Sequence, residues 1–543
     1  MQAVVRVLVR VTLGLAACCV GCSGAGGGDD AAVPPVDVAA DVAADLAGKP
    51  EVLDVAAEAG LADAGQDRSP QELPELPPES LLSEHPVLAG AAVGTVNPYF
   101  EPYEDSNGNH VWDEGEPYDD LDGDGKMKTL WMGGFGDRNP TGKHDDLTVR
   151  AVALAVHGEV YAFVAIDSLG LGLKRIDAVR EQVIARVDGR LPMAPENLFV
   201  AATHTHAAPD SLGIFAPSGK VGWDEKYLSD VVDAAADAVM AALALLEPAQ
   251  LVTVSAQVGD GVVRDIDPPD IIDPYVGIVS FRRPDATTIA TMFSIASHPE
   301  TLWKDNTDLS ADYPFYLRQA VEQELGGVAV YFSGDLGLMQ SPEEIGEAGH
   351  ERAEWVAEAY AGALLGALAD APASDPADLA PSFGFVRVTL PLENPELFIG
   401  LAEGIIDGYK EYYYQTEEPP CDFFGCLDIP TAVLRLGKEV TFVALPGEFT
   451  PELVVGGMVR PDGYAGPYPD AEPEPVLGDY LVTRERFTMG LCGAEIGYVY
   501  PKMTFDPDNH FSQIHGPGPN VAGYFMAAMV DLLNGVNGGG GQR

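Results

Sequence analysis

The chain has 543 residues, with 31 Lys and Arg against 84 Asp and Glu, a formal net charge of −53 and an apolar fraction of 46%. That apolar content suffices for a packed core and excludes disorder throughout, and the length admits either several domains or one large domain with a tail. The acidity excludes a nucleic-acid partner, which needs clustered Lys and Arg to neutralise phosphates, and disfavours docking on anionic lipid.

The N-terminus opens with a basic stretch, MQAVVRVLVR, followed by the short apolar run VTLGLAACCVGC. This pattern predicts an export signal over residues 1–22, too short and wrongly flanked for a transmembrane helix. Leu15-Ala16-Ala17-Cys18 has the form of a bacterial lipoprotein cleavage box, with Cys22 as the competing anchor. The expectation is an extracytoplasmic protein held at the cell envelope through an N-terminal lipid. Residues 23–85 carry 14 acids and two bases and are rich in Ala and Pro, the composition of a solvated spacer. The terminal NGGGGQR, residues 537–543, reads as a flexible tail, which leaves 86–536 as the folded domain. Cys421 and Cys426 flank CDFFGC and are expected to pair after export, with Cys492 unpaired and buried.

Two acidic runs come next. Asp105, Asn107, Asn109, Asp113 and Glu116 occupy positions 1, 3, 5, 9 and 12 of a calcium-loop pattern, with the Val111 carbonyl at position 7. His110 stands at position 6, where glycine normally makes the turn. Asp120, Asp122 and Asp124 repeat the opening of the motif, but Trp131 replaces the glutamate at position 12. Calcium is expected in the first loop as a structural ion, and the second remains open.

From Leu147 onward the chain alternates. LTVRAVALAVHG and EVYAFVAIDSLG read as strands, RIDAVREQVIARVDG as a helix, NLFVAATHTHAAPD as a strand entering a polar loop, and DEKYLSDVVDAAADAVMAALALLE as a long helix. This rhythm predicts an α/β fold with a mixed central sheet flanked by helices, and such sheets place their sites at the carboxyl ends of strands. His204 and His206 lie at one such end, and two residues spaced i, i+2 on an extended segment project to the same side. Apolar strands also run into His298 and into Glu448, and AVYFSGD brings Asp335 to a fourth end. Two imidazoles and a carboxylate make a catalytic zinc set with room for a water molecule.

The blocks THTHAAP, FSIASHPETLW, YFSGDLG, LPGEFTPE and GLCGAEIGYVYP occur in an order and spacing that resemble the neutral, non-lysosomal ceramidases and their bacterial relatives, over roughly residues 90–535. The resemblance implies zinc held by His204, His298, Glu448 and Tyr498, and a zinc-activated water that attacks a linear amide of a lipid-like substrate. It makes His206 the group that stabilises charge on the substrate carbonyl. Arg264, in VVRDIDPP, stands where the family has an arginine near the site, and Asp335 completes the catalytic set.

The pattern departs from the family at one block. Those ceramidases carry Gly-Asp-Val-Ser-Pro-Asn, whose serine has been proposed as a nucleophile, whereas this chain reads Gly334-Asp335-Leu336-Gly337-Leu338-Met339. A serine nucleophile at that position is excluded and ceramide itself becomes doubtful as the substrate. The calcium-type loops at 105–125 read as an insertion, and the C-terminal β-sandwich of those enzymes is expected to be absent. Two other readings stay open at this stage: a zinc esterase of a non-sphingolipid substrate, and a non-catalytic, calcium-stabilised surface lipoprotein that keeps the fold.

Overall fold

The computed structural model describes residues 75–538 except 218–219, 260, 267–269, 342–347, 417, 422–423, 461–463, 465 and 507–514. The signal with Cys18 and Cys22, the spacer as far as residue 74 and the tail from 539 lie outside the described residues. Among the described residues no helix is long and apolar enough to cross a membrane.

The alternating pattern folds into three mixed sheets in place of the single sheet expected. The first runs in the order Leu198–Ala202, Glu159–Ile166, Thr148–Val156, Val87–Thr95 and Glu247–Pro248. The second orders Val328–Ser333, Thr288–Ile295, Tyr275–Arg282 and Gln250–Gln257. The third orders Pro381–Pro391, Cys426–Leu436, Val440–Ala444 and Glu485–Met489. Strand Thr148–Val156 is buried along almost its whole length, as expected where both faces of a sheet are covered.

Residues alternate between two cores because successive side chains point to opposite faces. From the first sheet, Leu154, Phe163 and Phe199 turn inward and meet Phe281, Met292 and Phe332 of the second sheet and Phe442 and Phe487 of the third. The outer face of each sheet is covered by helices. Leu173–Val187 and Glu225–Ala244 cover the first, Tyr313–Leu325 and His350–Leu368 the second, and Val521–Asn537 the third. The α/β class and the flanking helices are as expected; the shared inner core is what joins three sheets into one body.

Each sheet contains one parallel pair: Glu159–Ile166 with Leu198–Ala202, Thr288–Ile295 with Val328–Ser333, and Val440–Ala444 with Glu485–Met489. Bonds between sheets tie their ends together. Ser333 Oγ donates to Thr203 O at 2.8 Å, Ser294 Oγ to Thr488 O at 2.5 Å, and Gly490 N to Ser333 O at 2.7 Å. The loops leaving those parallel strands therefore crowd into one place.

The spacer boundary moves N-terminally. Leu76 and Leu82 are buried in the first sheet's outer core, and Glu79–Glu84 is a helix. Two leucines offering apolar area to that core outweigh the charge that made 75–85 read as solvated. Cys421 and Cys426 form a disulfide and Cys492 is free and buried.

Candidate metal centre

His204 follows the strand Leu198–Ala202, but not in extended form as the i, i+2 argument assumed: its φ is +66°. A left-handed backbone at a non-glycine residue is strained and persists only when its surroundings hold it. Here His204 N donates to Ser168 O at 2.9 Å and its ring Nδ1 donates to Leu169 O at 2.6 Å. Convergence of the two rings, 4.9 Å between centroids, comes from this turn and not from strand pleating.

His298 is held in the same manner. Both its backbone N and its ring Nδ1 donate to the Met339 carbonyl, at 2.7 and 2.9 Å. With Nδ1 committed to a carbonyl, each ring presents Nε2 as its remaining nitrogen. The two Nε2 atoms face one carboxylate oxygen: Glu448 Oε2 lies 3.0 Å from His298 Nε2 and 3.5 Å from His204 Nε2. Glu448 itself lies on a two-residue strand paired in parallel with Tyr498–Val499, in the register that sets Glu448 beside Tyr498. The Tyr498 hydroxyl is 3.3 Å from His298 Nε2. His206 Nε2 is 3.3 Å from His204 Nε2, and His204, His206 and His298 each offer a nitrogen within 4.8 Å of the others.

The cluster is buried, and that decides its electrostatics. Burial alone would raise the Glu448 carboxyl, but His204 and His298 outweigh it and hold the group well below the usual carboxylate range. His204 is pushed down by burial and up by Glu448, with a net rise. Burial, reinforced by the neighbouring His204 and His298, drives His206 well below its ordinary value. Burial beside Glu448 pushes the Tyr498 phenol well up.

These donors fit a cation. Two imidazole nitrogens and a carboxylate oxygen aimed at one point repel one another unless a proton or a metal ion lies among them. The mixed N and O set with a phenol matches the preferences of zinc, and His204, His298, Glu448 and Tyr498 would hold it.

Two expected catalytic residues stand apart from this cluster. Asp335 is buried, and Thr488 Oγ1 donates to it at 3.2 Å; its charged neighbours are Asp273 and Arg486. Arg264 lies on a two-residue strand paired with Met339–Gln340 and donates to Gln340 Oε1 at 3.2 Å. It therefore braces the segment whose Met339 carbonyl carries His298.

The sequence reading passed over three residues. Arg138 donates to the carbonyls of Gly133 and His206, at 2.7 and 2.8 Å, and to that of Asn306 at 2.6 Å, pinning the loops around the rings. Nothing in its local sequence, GGFGDRNP, marks it. Glu300 and Glu495 are buried and both are pushed up, by burial first. They stand inside the blocks HPETLW and GAEIGY, so only their burial was hidden.

The acidic loops fold as compact turns. Asp105 accepts from the backbone N of Gly108, Asn109 and His110, and His110 takes the left-handed φ of +63° that glycine usually supplies. The amides of Asn107 and Asn109 donate to Asp113 at 2.7 and 2.9 Å, and Glu116 accepts from the backbone of Ser106 and Asp113. In the second loop Lys128 reaches both Asp122 and Asp124, so a cation from the chain itself sits there, and an oxygen of Glu101 lies within 4.8 Å of oxygens of Asp120 and Asp122.

Compared with solved structures, the chain superposes on neutral ceramidase from Pseudomonas aeruginosa with a TM-score of 0.60 at 16% identity, covering 84% of this chain and 75% of that one. The fold is that of the neutral ceramidases. A second structure, a ceramidase complexed with C2, gives a TM-score of 0.59 at 16% identity, over 84% and 76% of the two chains. No family model matches the sequence, and no curated protein does. The neutral ceramidase fold thus emerges from the three-dimensional arrangement at an identity where sequence comparison is silent.

Proposed function

We propose that the protein is a zinc-dependent hydrolase that cleaves a linear N-acyl amide of a lipid-like substrate. The observation that carries this reading is the meeting of His204, His298, Glu448 and Tyr498 at the strand ends of a neutral ceramidase fold. When bound there, zinc supplies Lewis acidity toward a water molecule and the substrate carbonyl.

The chain's own residues supply the rest. The Leu169 and Met339 carbonyls hold two rings so that the same nitrogen of each faces inward. Glu448 remains ionised between them. His206 Nε2 faces the same space and is placed to polarise the carbonyl oxygen. Position 337 offers no hydroxyl, so the carbonyl is attacked by water and no acyl-enzyme forms there. Burial of the cluster strengthens each of these interactions by excluding bulk water.

The test is hydrolysis of matched N-acyl amides and esters by the purified chain, with and without a chelator. Chelator-sensitive cleavage of amides in preference to esters is expected. Ester cleavage alone replaces this reading with an esterase, and no cleavage of either with zinc bound rejects a hydrolase.

Two finer points belong to the same reading. Calcium in the 105–116 loop is supported by the ligand spacing and by the turn that Asp105 organises, and a calcium-dependent rise in melting temperature, lost in Asp105→Ala, tests it. Lipid attachment at Cys18 or Cys22 rests on the N-terminal sequence. It is tested by incorporation of labelled fatty acid into the exported chain and its Cys→Ala variants.

A further inference from the structure

Two strand-end turns meet at the metal centre, and each carries a pair of polar residues spaced i, i+2. One pair is His204 and His206; the other is His298 and Glu300. The first member of each pair faces Glu448. The second members face each other: Glu300 Oε2 lies 3.6 Å from His206 Nδ1, just beyond hydrogen-bond length. The turns are joined by a bond from His206 N to Pro299 O at 3.1 Å.

Neither atom has a competing use. His206 Nδ1 and Glu300 Oε1 are both buried and make no hydrogen bond among the described residues. Glu300 is 4% exposed, so water does not satisfy it. A buried, unpartnered carboxylate oxygen costs about 1–3 kcal/mol or more, a cost that the fold tolerates only where the group is used or its partner is near.

The ring of His206 is confined on its other sides. Phe135 packs edge-on at 4.9 Å between centroids, and a Cβ on Gly134 would lie 2.5 Å from the Cβ of His206. Arg138 holds the His206 carbonyl. These contacts restrict where the ring lies but do not decide which nitrogen points inward, because the two edges of an imidazole have nearly the same shape. Unlike His204 and His298, His206 has no backbone carbonyl on Nδ1. Glu300 is the group placed to make that choice.

We propose that Glu300 is a positioning residue for His206, holding the imidazole through Nδ1 so that Nε2 faces the space between His204, His298 and Glu448. This rests on the hydrolase reading only for its consequence in catalysis; the placement of the ring stands on the geometry alone. A metal-binding or proton-handling histidine commonly has such a carboxylate behind it, and losing that partner typically costs about 10–100-fold in affinity or activity.

The test uses the full chain labelled with ¹⁵N-histidine, with the His206 ring signals assigned from the variant His206→Asn. In Glu300→Ala both ring nitrogens of His206 should shift, while those of His204 and His298, anchored to backbone carbonyls, stay in place. Glu300→Gln keeps an acceptor oxygen and should restore the wild-type positions. An unchanged His206 in Glu300→Ala overturns the proposal, as does an equal shift of all three histidines in both variants, which marks general disruption. On an N-acyl amide, Glu300→Ala should lower kcat by about 10–100-fold with KM changed less than about twofold. Wild-type protein that hydrolyses no amide would sink the proposed function and leave the ¹⁵N result to decide the role of Glu300.

Discussion

Gly337 lies against the backbone of Glu448 so closely that a Cβ at position 337 would come within 2.6 Å of the Glu448 carbonyl oxygen. The amide of Gly337 also donates to Phe449 O at 3.0 Å. The residue that removes a hydroxyl from this block is therefore the one that lets the carboxylate-bearing segment sit where it does. Gly337→Ala and Gly337→Ser should each push that segment away. The expected cost is about 1–3 kcal/mol of stability from overpacking, together with weaker zinc binding, read by thermal melts and by zinc titration. Serine that restores activity at unchanged stability would show that the contact is not limiting.

The metal centre predicts a simple stoichiometry. Purified wild-type chain should carry about one zinc, and His204→Ala or His298→Ala should bring the content near zero with the fold retained. Elemental analysis alongside circular dichroism checks this. Unchanged metal content in both variants would remove these residues as ligands.

Behind the centre, Arg318 and Asp167 form a buried bidentate pair at 2.8 and 3.0 Å, and Asp167 also accepts from the Thr148 backbone and hydroxyl at 2.8 Å. Asp167 directly precedes Ser168 and Leu169, whose carbonyls hold His204. Breaking one side of such a pair leaves an uncompensated charge, so Arg318→Met should destabilise by about 3–5 kcal/mol. Chemical denaturation of the two proteins measures it.

The same pair sets a pH dependence. Burial would raise the Asp167 carboxyl, but Arg318 outweighs it and lowers the group below its ordinary value. A carboxyl depressed in the folded state contributes stability that is present above the unfolded pKa of about 3.9 and is lost as pH falls through the lower folded value. Melting temperatures between pH 7 and pH 3 should fall more steeply for wild type than for Asp167→Asn, which carries no titrating group there.

Cys492 is buried beside the third sheet, and burial pushes its thiol up to about 12. Its thiolate is scarce at neutral pH, so it should resist thiol reagents in the native protein. Counting reactive thiols before and after denaturation without reductant should show one additional thiol; its appearance in the native state would mean local opening at the 201–492 bridge.

Much of this protein was legible in its sequence because the relevant signals are local. Strand and helix periods are set by neighbouring residues, and apolar runs ending in His204, His298 and Glu448 mark strand ends whatever the fold. The i, i+2 spacing of His204 and His206 was visible too, but the geometry attached to it was not, since the left-handed turn at His204 depends on carbonyls of a loop 35 residues earlier. Asp335 looked the equal of Glu448 in sequence. The packing sent it instead toward Arg486 and Asp273.

The composition that opened the reading also divides along this line. A charge of −53 was enough to exclude nucleic acid, because long-range repulsion needs no structure. Which of the acids are solvent-exposed and which are buried partners was decided only by tertiary structure. Glu300, Glu448 and Glu495 are covalently ordinary glutamates, and three sheets sharing one core bring them out of water, where burial and the histidines around them give each a different state. Sequence alone determines which groups are available along the chain; their environment is created by residues hundreds of positions apart, and chemistry follows the environment.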